Sequence, residues 1–245
     1  MDLSSKQQKI KELYSLLFRS PKIELSLKLD EIKGKEPFYE KVTQDFFKLV
    51  NSRRKKLPIF RQMTRGVAVC SLDGGFEKYI KAIESSGRRN IKKAIRLGYT
   101  FKAINYNDHL DEVWEIRKSA EVRQGKLSDA FLNNKPSPNN DPKCSVNTHG
   151  YPYFGVFDEE NKLVAYAGCF LAGNVIELSH FYGHADHQKN GVVPLLITSI
   201  AEYVINNHPA VKVFLYGGYI GASPTLRRFK KKFRFMPYHV KWSLN

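Results

Sequence analysis

The stretch of this 245-residue sequence best suited to hold a phosphate is Gln188-Lys189-Asn190-Gly191-Val192-Val193. An apolar run ends near Gly183, a polar turn follows, and a helical pattern opens at Gly191. The first N–H groups of a helix have no intrahelical partner, and together with the helix dipole they attract an anion. A glycine there lets backbone approach a phosphate with no side chain between them. Pro194 falls in the first turn, where its missing N–H costs nothing. The turn therefore reads as a pyrophosphate cradle. An ordinary strand-to-helix turn that holds a glycine and binds nothing would look the same.

Proton-transfer groups sit on the segments beside it. Glu177 lies between Ile176 and Leu178, so a buried carboxylate with a raised pKa is expected. His180 titrates near neutrality without help. The two are three residues apart, and strand alternation predicts opposite faces. A solvated edge glutamate and a hydrogen-bonded core histidine fit the same residues. Tyr216 and Tyr219 close a later apolar run, Tyr216 being a candidate acid or a core aromatic. His184 and His187, in the turn, face donor phosphate or solvent on this reading. No GxSxG, HExxH, Walker turn or dinucleotide fingerprint competes with this set.

These side chains need a scaffold. Residues 4–18 read as an amphipathic helix with Ile10, Leu13 and Leu17 on one stripe, and 37–52 as another, with Phe38, Val42, Phe46 and Leu49 or Val50. The run Arg53-Arg54-Lys55-Lys56 with Pro58 then marks a boundary, giving an N-terminal helical extension (1–60) and a main domain (61–245). In the main domain GVAVCSL (66–72) reads as a strand. Phe76, Ile80, Ile83, Gly87, Ile91 and Ile95 form one helical stripe that Gly98 ends in a left-handed cap. A strand at 99–105, a helix at 108–121 and a long polar loop at 127–149 follow. Strands at 151–158, 163–173 and 175–183, the last two joined by a Gly173-Asn174 hairpin, precede a helix at 191–207 and a strand at 211–219. A helix at 223–233 capped by Ser223-Pro224 leads into a last strand at 236–244.

That order of hairpin, phosphate turn, helix, strand, short helix and strand resembles the core of the GNAT acyltransferase superfamily, whose acyl-CoA turn is Gln/Arg-x-x-Gly-x-Gly/Ala. Gln188 and Gly191 match its first and fourth positions; Val193 departs from the sixth. SSGRRNIKKAIRLGYTFKAI and GASPTLRRFKKKFRF are similar to segments of the FemAB-like and BioF2-like branch, some of whose members take aminoacyl-tRNA as donor. The resemblance covers about residues 65–245. It implies an α+β, GNAT-like fold with a mixed, mostly antiparallel central sheet flanked by helices. It implies an N-acyltransferase that uses acetyl-CoA or another acyl-CoA and no metal. Gln188 to Val193 would hold the donor, Glu177 or His180 would take the amine proton, and Tyr216 would protonate the leaving thiolate.

Composition bounds the partners. Forty Lys and Arg against 24 Asp and Glu give a net charge of +16. Residues 78–102 hold eight basic residues and one acid, Glu84, and residues 226–241 hold seven and none. Such a field draws polyanions. Arg88, Arg89, Lys92 and Lys93 fall off the apolar stripe and are the candidate contacts to DNA, tRNA or another phosphate-rich acceptor such as a sugar nucleotide. A solvated lysine-rich surface fits equally. No apolar run spans a bilayer and no signal peptide is evident, so a cytoplasmic protein is the default. Three readings follow: an acyl-CoA-dependent N-acyltransferase, a FemABX-like aminoacyl-tRNA-dependent transferase, and a non-catalytic nucleic-acid-binding module on a degenerate GNAT scaffold.

Overall fold

The computed structural model describes residues 3–54, 57–123 and 127–245. Lys55 and Lys56 of the basic run lie outside the described residues, as do the side chains of Ile10 and Pro58. The chain alternates helices and strands around one large sheet. In order these are α1 (Leu3–Phe18), β1 (Lys22–Ser26), α2 (Pro37–Asn51), β2 (Arg53–Arg54), β3 (Leu57–Arg61), β4 (Val67–Ser71), α3 (Gly75–Ala82), α4 (Ser85–Arg96) and β5 (Thr100–Ile104). Then come α5 (Leu110–Lys118), α6 (Asp129–Asn133), β6 (His149–Gly150), β7 (Tyr153–Phe157), β8 (Leu163–Ala172) and β9 (Val175–Gly183). The last part is α7 (Ala185–Gln188), α8 (Val192–Asn207), β10 (Val213–Gly218), α9 (Pro224–Lys232) and β11 (Met236–Ser243).

The sheet runs β1-β11-β4-β10-β9-β8-β7-β5, with β6 added beside β8. Among the described residues β1 with β11 and β9 with β10 are the parallel pairs, and the other pairs are antiparallel. This is the expected mixed, mostly antiparallel α+β sheet flanked by helices. One face packs on α3, α4 and α8 through Ile83, Ile91, Leu196, Ile200, Phe154 and Phe214. The other packs on α2 through Phe46 and Val50, against Phe170, Leu215 and Trp242.

Several elements depart from the periodicity reading. Residues 22–26, inside the stretch read as helical, form a strand beside β11. The buried stripe of α2 is Tyr39, Thr43, Phe46 and Val50, with Phe38 and Leu49 exposed. In α1, Leu16 and Leu17 are buried and Leu13 faces out. The single helix expected over 76–97 is broken in two. Ile83 and Glu84 are extended, the Glu84 N–H is drawn to the Lys232 carbonyl (3.2 Å), and Arg88 donates to the carbonyls of Lys81 and Ile83. After the break Tyr79, Ile83, Gly87, Ile91 and Ala94 are inside, and Ile95 is 59% exposed. Gly98 does end α4 in the left-handed region, at φ 73°.

Candidate active site at the fork of two parallel strands

β9 and β10 pair at Val175–Val213, Ile176–Phe214 and Glu177–Leu215, and then stop. β9 continues to Gly183 and β10 to Gly218 with no further bond between them. Both strands are irregular at this point. On β9, Leu178 lies opposite Cys169 and His180 opposite Gly168, so Ser179 is an extra residue, a β-bulge. On β10 the register against β4 shifts between Leu215 and Gly218. Each bulge bends its strand, and the pair opens into a fork. On the α8 side the fork holds a cavity of about 340 Å³ lined by Phe181, Gly183, Gln188, Val193, Tyr216, Ser223 and Phe229, among others.

The turn at 188–193 borders this cavity, and its residues divide by role. Gln188 and Val193 line it. The Gln188 side chain donates to the Gly183 carbonyl (3.2 Å). The first bond of α8 runs from Leu195 N–H to Gly191 C=O, so the amides of Val192 and Val193 precede the helical ladder. Val192 is otherwise core, fully buried. Lys189 is exposed, and its carbonyl accepts from Lys93 Nζ (2.9 Å). Asn190 donates to the Tyr99 hydroxyl (2.9 Å), which also bonds His187 Nδ1 (2.7 Å). His184 caps α7 by accepting from the Asp186 N–H. Gly191 has φ 88°, and a Cβ there would stand 2.2 Å from the Asn90 carbonyl oxygen. Its lack of a side chain lets the turn pack closely on α4. Gly183 plays the matching part on β9: a Cβ there would lie 2.7 Å from Val193 Cγ2.

Glu177 and His180 share a face. Glu177 is opposite Phe170 and His180 opposite Gly168, two positions on one side of the regular strand β8. The extra residue at Ser179 cancels the alternation that predicted opposite faces. Nothing in the sequence LSHF marks a bulge, since neither glycine nor proline is present. Glu177 sits at the last paired position before the fork. Burial alone pushes its carboxyl up to about 7, and no described residue donates to it. His180 stays open to solvent; desolvation and then the Arg117 charge lower its pKa, which keeps it neutral at pH 7. The Tyr153 ring covers the same side, with Cε1 2.7 Å from where a Gly168 Cβ would stand. Arg117 is anchored nearby, donating to the hydroxyls of Tyr166 (3.1 Å) and Tyr106 (3.2 Å).

Tyr216 lines the cavity from β10, and Tyr219 is committed elsewhere, donating to the Phe235 carbonyl. Ser223 caps α9 by accepting from the Leu226 N–H (3.2 Å), as expected. Lys230 went unread in the sequence. It is 2% exposed, its Nζ donates to the Gly218 carbonyl (2.8 Å), and it stands 4.5 Å from the centre of the Tyr216 ring. Burial lowers its pKa to about 8. The available signal was its position four residues after Leu226 and three before Phe233, on the apolar side of an otherwise basic helix.

The four candidate polyanion contacts also divide. Arg88 and Lys93 spend donors on backbone carbonyls, while Arg89 and Lys92 are exposed.

No protein-family model matches the sequence, and neither does any curated protein sequence. Solved structures do match in fold. FemX superposes with a TM-score of 0.53 at 10% identity, over 71% of this chain and 59% of that one. L-PGS from Bacillus licheniformis follows at 0.45 and 15%, over 70% and 56%. A tandem GNAT protein from the clavulanic acid biosynthesis pathway follows at 0.42 and 14%, over 69% and 49%. The chain thus spans somewhat under three fifths of the FemX and L-PGS chains. The likeness to FemX concerns the fold.

Proposed function

With the GNAT fold as premise, we propose that this chain is an N-acyltransferase that moves an acyl group from a CoA thioester to an amine. The observation that carries the reading is the fork. It places a cavity bordered by a helix N-terminus on one side of the sheet and a carboxyl of raised pKa at the point of divergence.

On this reading the amine approaches from the Glu177 face. At pH 7 Glu177 is about half ionised, so it accepts the amine proton either directly or through His180 or water. The amine lone pair attacks the thioester carbon, and a tetrahedral oxyanion forms. As the intermediate collapses the C–S bond breaks, and the thiolate takes a proton from the Tyr216 hydroxyl. The Lys230 ammonium over the Tyr216 ring favours the phenolate that remains. Gln188 and Val193, at the start of α8, border the cavity and would face the donor pyrophosphate.

The test is calorimetric titration of CoA and acetyl-CoA. Saturable binding is expected, and Gln188→Glu should weaken it at least about tenfold, the equivalent of about 1.4 kcal/mol. Turnover is then read on panels of amines, including amino sugars, sugar nucleotides and amino-modified nucleic acids.

One observation favours a second reading, a transferase that takes its acyl group from aminoacyl-tRNA. Val193 stands where the CoA-binding pattern has Gly or Ala, and its Cγ2 methyl occupies the space over Gly183. No CoA binding in wild type, with binding of an aminoacylated RNA, would select that reading. Nucleic-acid binding with neither activity would select the non-catalytic module.

A further inference from the structure

The two basic runs are far apart in sequence and meet in space at Glu84. Its N–H donates to the Lys232 carbonyl (3.2 Å), and its carboxylate pairs with Arg228 (2.5 Å). A Cβ on Gly87 would lie 3.3 Å from Lys232 Cγ. The start of α4 therefore abuts the end of α9. At its other end α4 reaches the turn at 188–191, where Lys93 holds the Lys189 carbonyl and Asn90 packs on Gly191. The cations of α4 and α9 are thus brought together between the turn at 188–191 and the end of α9.

Glu84 is the one acid at the joint, and Arg228 has taken it. Of the remaining cations Arg89, Lys92, Arg96 and Lys231 are exposed and have no acidic partner among the described residues. On α4 the spacing of three and four aligns Arg89, Lys92 and Arg96 along one ridge, about 10 Å long at 1.5 Å per residue. Duplex nucleic acid carries about one charge per 1.7 Å of axis. Three cations over about 10 Å therefore meet several phosphates at once.

The strip lacks what a single strand needs. Sequence-independent single-strand sites stack bases on exposed aromatic rings. The exposed large side chains of α4 and its cap are Ile95 and Leu97, both aliphatic, and Phe229 and Phe233 of the α9 segment turn inward. We propose that the α4–α9 strip binds the phosphate backbone of duplex nucleic acid, without reading base sequence. The proposal rests on the charge and placement of these helices, and it holds whichever acyl donor the fork takes.

The experiment is fluorescence anisotropy with labelled 20-base-pair RNA, 20-base-pair DNA and a 20-nucleotide oligo-U, between 50 and 200 mM salt. Four neutralised phosphates give a log–log slope of about −3.6, a loss of roughly 150-fold in duplex affinity over that range. Arg89, Lys92, Arg96 and Lys231 are changed together to Gln. A control changes Lys33, Lys35, Lys41 and Lys48, removing the same charge from another surface. The strip variant should lose most of the salt slope and at least about tenfold in affinity, the control less than about threefold. The RNA and DNA arms show which duplex binds more tightly. Equal losses in both variants would mean net charge alone acts, and would overturn the proposal. So would oligo-U binding as tight as duplex. CoA titrated into the strip variant separates the two sites: lost CoA affinity with unchanged duplex binding would assign these cations to the donor nucleotide and overturn it as well.

Discussion

Replacing Glu177 by Gln offers the sharpest check on the fork. In the folded chain burial raises this carboxyl from the ordinary 4.5 to about 7. The folded state therefore holds a proton that the unfolded chain has already released between those two values. The stabilising contribution of that proton is lost as pH rises through the window and is gone above about 7. At about 1.4 kcal/mol for each tenfold in proton affinity, the ionised carboxylate costs up to about 3 kcal/mol. Gln cannot ionise, so E177Q should be close to wild type near pH 4.5. It should become more stable than wild type by up to about 3 kcal/mol at pH 8. Urea unfolding of both proteins from pH 4.5 to 8.5 measures the difference directly, because every other group titrates alike in the two. A flat difference across the range would refute the claim that Glu177 is held in a desolvated place, and with it the basis for its role as base. In turnover the same variant should lose about a hundredfold or more, and the wild-type rate should rise with pH through about 7.

Three further outcomes follow from the same geometry. Gly191→Ala should cost roughly 2–4 kcal/mol in urea unfolding, because the new methyl meets the Asn90 carbonyl at a positive φ. Arg88→Ala should cost about 1–2 kcal/mol by loss of its bonds to the Lys81 and Ile83 carbonyls, whereas Arg89→Ala should stay within about 0.5. Lys230 is depressed from 10.5 to about 8, so the folded state sheds its proton first. Wild type should therefore gain stability relative to Lys230→Met as pH rises from 8 toward 10, read by thermal unfolding in matched buffers.

Much of the scaffold was legible because local chemistry dictated it. Gly173-Asn174 wrote the hairpin, Ser223-Pro224 the start of α9, and the dense apolar face of 191–207 its helix. The parts that escaped are set by partners far along the chain. The break at Ile83–Glu84 carries no glycine or proline and depends on the Lys232 carbonyl. The strand at 22–26 has one well-buried residue, Leu25, so its alternation is faint, and only β11 makes it a strand. Glu177, His180 and Tyr216 were chosen as candidates by type, but Lys230 was not, and their arrangement was not legible. A single unpaired residue at Ser179 decides whether Glu177 and His180 cooperate, and its cost is absorbed by tertiary packing rather than signalled locally.

The pairing of β1 with β11 has a consequence for how the chain reaches this shape. Glu24 and Lys241 bond across 217 positions of sequence. Closing a loop of that length costs roughly 5 kcal/mol of chain entropy. The early segment touches the β8–β9 region through the Ser26 N–H on Asn174 and the Phe46 ring on Phe170, but the strand pairing of residues 22–26 waits for β11. The core of β4 to β10 can assemble first, and pairing β1 with β11 then joins two segments far apart in the sequence. Pulse-labelled hydrogen exchange during refolding should accordingly protect the β8–β9 hairpin and α8 before residues 22–26.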